Sequence, residues 1–480
     1  MVRHAPAKPL GKLENSCHDR HMRTPLPRPR LALLRTVARP FRTGHALKGV
    51  TFVTFGAALG PLAIAATAPP RPDPARLEAT VARLVSFGTR HTLSSTTDPK
   101  RGVGAAERWV ASQFEAIGKS CGGCITVERL SAHMTGSRLP PEGAEIVDVL
   151  GIQKGSDPNR YVIVSGHLDS RVADVMDATS DAPGANDDGS GVALVLEAAR
   201  LLSRGHYKAT IVYAAVTGEE QGLYGSTLLA ETAKRRGWQV DAMLNNDIVG
   251  NTMGQNGVRV ATQVRVFSEG IRESEDLRQQ MVRRAIGGED DGPSRALAKA
   301  IDGIARDIPG GLDVFVNRRP DRFGRGGDHF PFLKLGYPAV RFTVGAENWT
   351  QQHQDLRTEN GIRYGDTIDR MDFPYLARVT AINVATLRRL ASAPAAPRGV
   401  TIAGALSFDT TVKWQPVPGA IAYRVHWRRD DAQDWTHAVD VKGTGTVLRN
   451  VPVDDNFVGV SALGADGSES LVTFAGAARG

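Results

Sequence analysis

The sequence predicts an α/β fold with a mostly parallel, mixed central sheet and helices on both faces, followed by a small all-β sandwich. Two observations predict the first part: short apolar runs alternate with segments of helical periodicity, and polar side chains follow the ends of several of those runs. A third observation predicts the second part, because the hydrophobic period becomes alternating after residue 399. A chain of 480 residues is long enough for more than one domain.

Residues 1–68 have the layout of an export signal. A stretch with eleven Lys and Arg residues against two acidic residues (1–48) precedes an uncharged run (49–68), which closes on the small-residue triplet Ala66-Thr67-Ala68. Cleavage after Ala68 would give an exported protein, periplasmic or extracellular. Retention of 49–68 as a membrane anchor is the less favoured alternative: the run reaches the ~20 residues that span a bilayer, but Gly, Ala, Thr and Pro make it weakly apolar.

The distribution of charge argues against a nucleic-acid partner. The formal net charge of the chain is +8, but residues 1–48 alone contribute +9, which leaves −1 for the rest. A nearly neutral body has no basic surface to attract a polyphosphate. We therefore expect no nucleic-acid partner, and no stable membrane partner once the leader is cleaved.

From residue 69 to 392 the predicted elements alternate as a parallel sheet requires. The polar segment 269–295 is expected to hold a helix and a mobile loop near the mouth of a site. The predicted helices are LEATVARLVSFG, AAERWVASQFEAIG, GVALVLEAARLLSRG and LYGSTLLAETAKRRG, and the predicted strands are EIVDVLGIQ, YVIVSG, IVYAAV, VDAMLNND and PAVRFTV.

Cys121 and Cys124 are the cysteines that remain after leader cleavage. A zinc knuckle would need two more such ligands nearby, and a redox CxxC site would open a helix after a strand. Here the pair lies in KSCGGCIT, a turn before the predicted strand ITVERL. A small structural disulfide is the expected role, in keeping with an oxidising compartment.

The C-terminal part is predicted to be a separate sandwich. Residues 393–398, within the small-residue and proline stretch ASAPAAPR, are the predicted linker, and 399–480 the predicted domain. The alternating runs around Trp414 and Tyr423 and the turn GADGSES resemble a fibronectin type III domain. Such a domain would fold independently and is a candidate for binding a surface or a polymer.

Side chains able to bind a metal follow the ends of the predicted strands, with one more in a glycine-rich turn that opens a helix. In an open parallel sheet, ligands bind beyond the carboxyl ends of the strands, so these side chains are expected to meet. Imidazoles and carboxylates without thiolates favour zinc, cobalt or manganese. The residues concerned are His167, Asp169, Asp187, Glu219, Glu220, Asp247 and His353.

The spacing His167-x-Asp169 is too short for both side chains to bind one metal comfortably. The better interpretation is that Asp169 accepts the second imidazole N–H of His167 and fixes its tautomer.

Residues from about 73 to 390 resemble the M28 family of zinc metallopeptidases, which contains secreted bacterial aminopeptidases with two co-catalytic zinc ions. The motifs occur in the family's order and extend over the whole predicted α/β domain. They are HLD (167–169), GANDDGSG (184–191), GEEQGLYGS (218–226), NND (245–247), GGDHFPF (326–332) and QQHQD (351–355).

The resemblance implies two zinc ions per chain. His167 and Asp247 would hold one ion, Glu220 and His353 would hold the other, and Asp187 would bridge both.

The resemblance also separates the roles of the two adjacent glutamates. Glu220 would be a metal ligand, and Glu219 would be the general base toward a metal-activated water, because direct coordination lowers the basicity of a carboxylate. His329 in GGDHFPF is a candidate for contact with the substrate or its oxyanion. Alternatively, Asp328 and His329 cap the helix that follows them. Arg90 and His91, in FGTRHT, are expected to pack at the start of the domain.

The sequence therefore predicts an exported dinuclear-zinc aminopeptidase that acts on peptides. Carboxypeptidase or other amidohydrolase specificity stays open. A glutaminyl cyclase with a single zinc on the same scaffold is disfavoured because both halves of the metal site are complete. A non-enzymatic adhesion protein led by its C-terminal domain is the least favoured alternative.

Overall fold

The computed structural model describes residues 71–478. The predicted leader, with its cleavage point and candidate membrane anchor, lies outside these residues. Within the described range, no helix is long and apolar enough to cross a membrane.

Helices alternate with strands up to residue 392, as the sequence predicts. Side-chain caps fix the start of several helices; Asp73 accepts a hydrogen bond from the Ala75 main-chain N–H, and Asp372 accepts one from that of Tyr375. The helices are α1 (Pro74–Val85), α2 (Val103–Ser120), α3 (Gly189–Leu202), α4 (Glu219–Gly222), α5 (Tyr224–Arg235), α6 (Leu277–Ala285), α7 (Pro293–Arg306), α8 (Phe330–Lys334) and α9 (Phe373–Ser392).

One mixed sheet forms the centre of the α/β part, which confirms the predicted fold class. Its strands are β1 (Thr126–Met134), β2 (Ala144–Gln153), β3 (Asp157–His167), β4 (Ala209–Val216), β5 (Gln239–Asn246), β6 (Gln263–Phe267), β7 (Asp313–Asn317) and β8 (Ala339–Val344). Their order across the sheet is β1-β2-β4-β3-β5-β8-β6-β7. The neighbours β4, β3, β5 and β8 are parallel, so all four have their carboxyl ends at the same edge of the sheet.

Both faces of the central strands are covered by helices. In β3, Val162 and Val164 belong to the buried cluster that includes residues of α1, α3 and α9. Ile163, between them, belongs to the cluster on the other face, with residues of α5 and α8. Because neither face meets water, these strands are continuous apolar runs instead of alternating ones.

The segment 269–295 lies far from the position that the sequence suggested. It contains α6, and its Arg272 donates a hydrogen bond to the carbonyl of Gly336, shortly before β8 begins. The segment is therefore at the amino ends of the parallel strands. The expectation that it forms a loop at the mouth of a carboxyl-edge site is wrong.

Two further four-stranded sheets follow the α/β part. Val412 in one sheet shares a buried cluster with Val425 and Val460 in the other, so the sheets pack face to face. The assignment to the fibronectin type III class stays a prediction. The first sheet consists of β11 (Thr401–Ala403), β12 (Thr410–Lys413), β15 (Gly445–Leu448) and β18 (Gly476–Ala477), and the second of β13 (Ala422–Arg429), β14 (His437–Val441), β16 (Asn456–Leu463) and β17 (Thr473–Phe474). A separate two-stranded hairpin, β9 (Arg357–Glu359) and β10 (Ile362–Tyr364), precedes α9.

The C-terminal sheets pack directly against the α/β part. Arg428 on β13 is fully buried, and its Nη2 lies 2.6 Å from Asp290 Oδ2 and also contacts Asp291. The predicted linker is held as well, since Arg160 Nη1 donates to the carbonyl of Ala393 at 2.9 Å. These contacts argue against independent folding of the two parts.

Replacing Arg428 tests how strongly the two parts depend on each other. Arg428→Ala is expected to lower the free energy of unfolding by about 3 kcal/mol, because it leaves the buried carboxylate of Asp291 and the partly buried one of Asp290 without one of their cations. Arg429→Ala is the matched control, since the neighbouring side chain is 75% exposed and should change stability by less than ~0.5 kcal/mol. Urea unfolding measures both. Equal effects of the two variants would contradict the role of Arg428.

Candidate metal centre

The carboxyl edge of the parallel strands brings the predicted ligands together. His167 is the last residue of β3, Glu220 lies in α4 shortly after β4, and Asp247 directly follows β5. Asp187 comes from the turn before α3, and His353 from the loop after β8. The sequence separation of these residues is large, but the parallel arrangement makes them neighbours.

The five side chains form two groups of possible ligands that share one carboxylate. The groups are His167, Asp187 and Asp247, and Asp187, Glu220 and His353, with the ligand atoms of each group within 4.8 Å of one another. His167 Nε2 lies 3.1 Å from Asp187 Oδ1, and His353 Nε2 lies 3.0 Å from Asp187 Oδ2. The two oxygens of Asp187 thus face different histidines, as those of a bridging ligand do.

Several buried atoms of these groups have no hydrogen-bond partner. They are His167 Nε2, Asp247 Oδ1 and Glu220 Oε1. Buried polar atoms nearly always have a partner, so unpaired atoms that converge from three strand ends call for one. Imidazole and carboxylate are the donors that zinc takes in catalytic sites. The residues present therefore fit zinc.

Asp188 ties the loops of the two groups together. Its carboxylate accepts hydrogen bonds from the main-chain N–H groups of His167 (3.0 Å), Gly191 (2.9 Å) and Ile248 (3.3 Å). One side chain thus joins the end of β3, the start of α3 and the residue after Asp247. Its oxygens are used by the main chain, whereas those of the adjacent Asp187 face the histidines.

Two buried residues support the Asp187 turn from behind. Asp366 Oδ2 accepts hydrogen bonds from the main-chain N–H groups of Asn186 (2.8 Å) and Asp187 (2.7 Å). Arg90 was expected only to pack, but it donates to the carbonyls of Leu168 (2.7 Å) and Gly184 (2.9 Å) and so joins the two ligand loops. Sequence reasoning missed Asp366, because a single Asp in a loop carries no pattern that separates it from a turn residue.

Asp169 acts differently from the prediction. His167 Nδ1 lies 3.0 Å from the main-chain carbonyl of Asp169 and 3.7 Å from its Oδ1, so the carbonyl, and not the carboxylate, accepts the imidazole N–H. That bond still fixes the tautomer that leaves Nε2 free. The carboxylate instead accepts from the main-chain N–H groups of Glu219 (3.3 Å) and Glu220 (3.1 Å). Asp169 is thus a positioning residue for the two glutamates.

The two adjacent glutamates have different surroundings. Glu220 Oε1 lies 3.0 Å from His353 Nε2, inside the second group. Glu219 belongs to neither group and is partly exposed. Burial raises the pKa of Glu219 well above its ordinary value; the charges of Asp247 and Glu220 add to this effect, and His167 opposes it. The structure therefore brings Glu219 next to the ligands without using it as one.

His329 lies outside the two groups of ligands. Its side chain is fully buried, and Nε2 donates to the carbonyl of Pro320 at 2.8 Å. Burial lowers the pKa of His329 to about 4, so the ring is neutral at neutral pH. Neither alternative for this residue is seen in the described contacts: the ring has no exposed surface for a substrate, and α8 has no side-chain cap from His329 or Asp328.

Cys121 and Cys124 are joined by a disulfide in the turn between α2 and β1, with Cα atoms 5.6 Å apart. This is the pairing that the sequence suggested.

The fold and the convergent ligands define a zinc peptidase of the α/β class. The family model for peptidase family M28 matches residues 148–385. The chain belongs to that family, and it is a zinc metallopeptidase.

Fungal proteins are similar to this chain over most of their length. A "Probable zinc metalloprotease" of Pyrenophora teres f. teres (strain 0-1) is 45% identical over 404 residues, which cover 83% of this chain and 84% of that protein. A protein of the same name from Pyricularia oryzae is 42% identical over 413 residues, which cover 84% of this chain and 82% of that protein. These relatives are fungal, whereas the sequence motifs pointed to bacterial aminopeptidases of the family. The aligned span is longer than the predicted peptidase domain.

Two solved structures are similar to part of this chain. LapB from Legionella pneumophila covers 66% of this chain and 71% of its own, with 17% identity and a TM-score of 0.49. The match to a glutaminyl cyclase from Porphyromonas gingivalis covers 66% of this chain and 99% of that one, with 18% identity and a TM-score of 0.46. At such identities the likeness concerns the fold alone.

Zinc binding to the metal-free protein is expected to release protons near neutral pH. Burial by itself lowers the pKa of His353, but the Glu220 and Asp187 carboxylates outweigh it and raise the pKa to about 10. His353 is therefore protonated at pH 7 without metal, and a metal ligand must lose that proton. Zinc affinity should rise as pH rises toward 10 and fall at lower pH.

Calorimetric titration in two buffers of different ionisation enthalpy counts the protons released. His353→Gln should release about one proton fewer than the unmodified chain. Because the pKa of His353 is higher in the folded than in the unfolded chain, its protonation stabilises the metal-free fold. This stabilisation is complete at a pH below the unfolded pKa of ~6.5 and is lost as the pH rises through the folded pKa of about 10. Identical heats in both buffers would contradict the expected proton release.

Proposed function

We propose that this zinc metallopeptidase is an aminopeptidase that holds two zinc ions and removes N-terminal residues from peptides. The observation that carries the proposal is the shared Asp187, whose oxygens face a different histidine on each side. Two donor groups that share one carboxylate suit a pair of neighbouring cations. This arrangement favours a two-metal peptidase over a single-zinc cyclase.

Each residue of the site then has a definite part. His167 and Asp247 would hold one ion, Glu220 and His353 the other, and Asp187 both. When bound, zinc supplies Lewis acidity toward the scissile carbonyl and toward water. A carboxylate oxygen of Glu219 accepts a proton from the attacking water, and Glu219 then passes that proton to the leaving amine.

The surroundings of Glu219 support its role as the base. Its pKa, raised mainly by burial, makes the carboxylate a stronger base than an exposed glutamate. Cations held by the neighbouring ligands would lower that pKa again and so favour the ionised form that a general base needs. Hydrogen bonds from the Glu219 and Glu220 main chain to Asp169 hold the turn in place.

The finer parts of the proposal rest on the sequence motifs and on the leader. Preference for a free N-terminus follows from the resemblance to aminopeptidases of the family, with carboxypeptidase or other amidohydrolase activity as the alternative. Export, to a periplasm or out of the cell, follows from the layout of residues 1–68. The C-terminal sheets, as a fibronectin type III-like domain, are proposed to bind a surface or a polymer.

A panel of reporter peptides separates these activities. Peptides with a free N-terminal residue should be hydrolysed, and their N-acetylated counterparts should be at least ~100-fold poorer substrates. Excess chelator should abolish turnover, and added zinc or cobalt should restore it. Equal turnover of blocked and free peptides, or release of the C-terminal residue alone, would contradict aminopeptidase activity without excluding a zinc peptidase.

The two glutamates should respond differently to the same substitution. Glu219→Gln keeps size and metal content but removes the basic oxygen, so turnover should fall ~10²–10⁴-fold with about two zinc ions still bound. Glu220→Gln replaces a charged ligand with a neutral amide, so zinc content should fall and activity should partly return at high zinc. Metal analysis and kinetics of both variants decide the assignment, and the opposite pattern would reverse the two roles.

A further inference from the structure

Glu220 and Asp247, the two proposed carboxylate ligands that are not shared between the groups, each contact an arginine. The contact is made by the oxygen that does not face the ligand cluster, here called the outer oxygen. Glu220 Oε2 lies 2.8 Å from Arg171 Nε, while Glu220 Oε1 is buried without a hydrogen bond. Asp247 Oδ2 forms an ion pair with Arg341 Nη2 at 2.8 Å, and Asp247 Oδ1 is buried without a hydrogen bond. In each case the arginine occupies one oxygen and leaves the other for the cluster.

We propose that Arg171 is a positioning residue that makes Glu220 a one-oxygen metal ligand, and that Arg341 does the same for Asp247. The proposal rests on the proposed function only in so far as the cluster binds metal. A guanidinium on the outer oxygen fixes the carboxylate plane and competes with two-oxygen coordination. One-oxygen coordination leaves a position on the ion for water or substrate, which a catalytic zinc site needs.

The contacts of Arg171 favour this role over direct binding of a substrate. Its Nε is on Glu220 and its Nη1 donates to the carbonyl of Val172 at 3.1 Å, so the guanidinium is held from two sides. The side chain is only 16% exposed. A substrate anchor would instead keep its donors free on the open side of the site.

The two arginines differ in how far they can be tested. Arg341 is fully buried and also contacts Asp321 Oδ2 (3.3 Å) and the carbonyl of Gly326 (2.7 Å), so replacing it endangers folding. Arg171 is partly exposed and better suited to substitution. Arg325 provides the matched control: it is 34% exposed, and its Nη1 contacts Glu347 (2.7 Å) and not a metal ligand.

The experiment measures zinc and cobalt binding to the metal-free full chain, without substrate. Arg171→Met should weaken one of the two zinc sites ~10–100-fold in competition with a chelator, while Arg325→Met should leave both unchanged. In the cobalt-loaded protein, Arg171→Met should weaken the visible absorption, because a two-oxygen Glu220 raises the coordination number. Arg171→Lys keeps the charge but not the planar fork, so it should restore the affinity and the spectrum only in part.

Several results would overturn the inference. Unchanged affinity and spectrum in Arg171→Met would do so, as would tighter zinc binding, since the guanidinium would then act only as a repelling charge. Complete restoration by lysine would also exclude a positioning role. If the unmodified chain bound no zinc, the proposed function itself would fail. If the chain bound two zinc ions and Arg171→Met changed the affinity of neither site, only this inference would fail and the proposed function would stand.

Discussion

The burial of several carboxylates at one edge of the sheet is the constraint on which the rest of the site depends. A carboxylate taken out of water loses hydration, and neighbours of like charge add to that cost. The protein offsets it with main-chain N–H groups at Asp188 and Asp366 and with arginines at Glu220 and Asp247. On Glu220 and Asp247, the oxygen left without a hydrogen-bond partner is the one that faces the cluster. The site is thus arranged to receive positive charge.

Adjacent carboxylates of the same residue type differ in which partners their oxygens have. Asp187 turns both oxygens to histidines, while Asp188 gives its oxygens to the main chain. Glu220 lies within the ligand cluster, while Glu219 remains outside it and partly exposed. In the first pair Asp188 fixes the loop, so the carboxylate of Asp187 is free to face the histidines. In the second pair Asp169 fixes the turn through the main-chain N–H groups of both glutamates, so their own carboxylates are not needed to hold it. A glycine-rich turn and a short helix after a strand allow adjacent side chains to point to such different partners.

The C-terminal sheets contact the other end of the α/β part. Lys208, just before β4, donates to Ser468 in the loop after β16, and Arg398 of the predicted linker donates to Gln239 at the start of β5. These contacts are at the amino ends of the parallel strands, as is the segment around Arg272. These contacts therefore lie at the edge of the sheet opposite the one where the ligands meet. A role in attachment to a large substrate would place the attached surface away from the metal cluster.

The sequence by itself determined the α/β class and the central strands, because continuous apolar runs are local patterns. It also singled out the candidate ligands, through the polar residues that follow those runs and through the resemblance to the M28 family. The elements β6, β7 and α7 were not predicted, although β6 alternates in polarity and α7 has apolar residues at helical spacing; the two strands are only five residues long each and lie between polar loops. Only the tertiary structure decided that Asp169 holds the glutamate turn, that Asp366 supports Asp187 and that Arg171 occupies the outer oxygen of Glu220. These contacts join atoms of loops far apart in the chain, and no spacing in the sequence encodes which oxygen of a carboxylate is already taken.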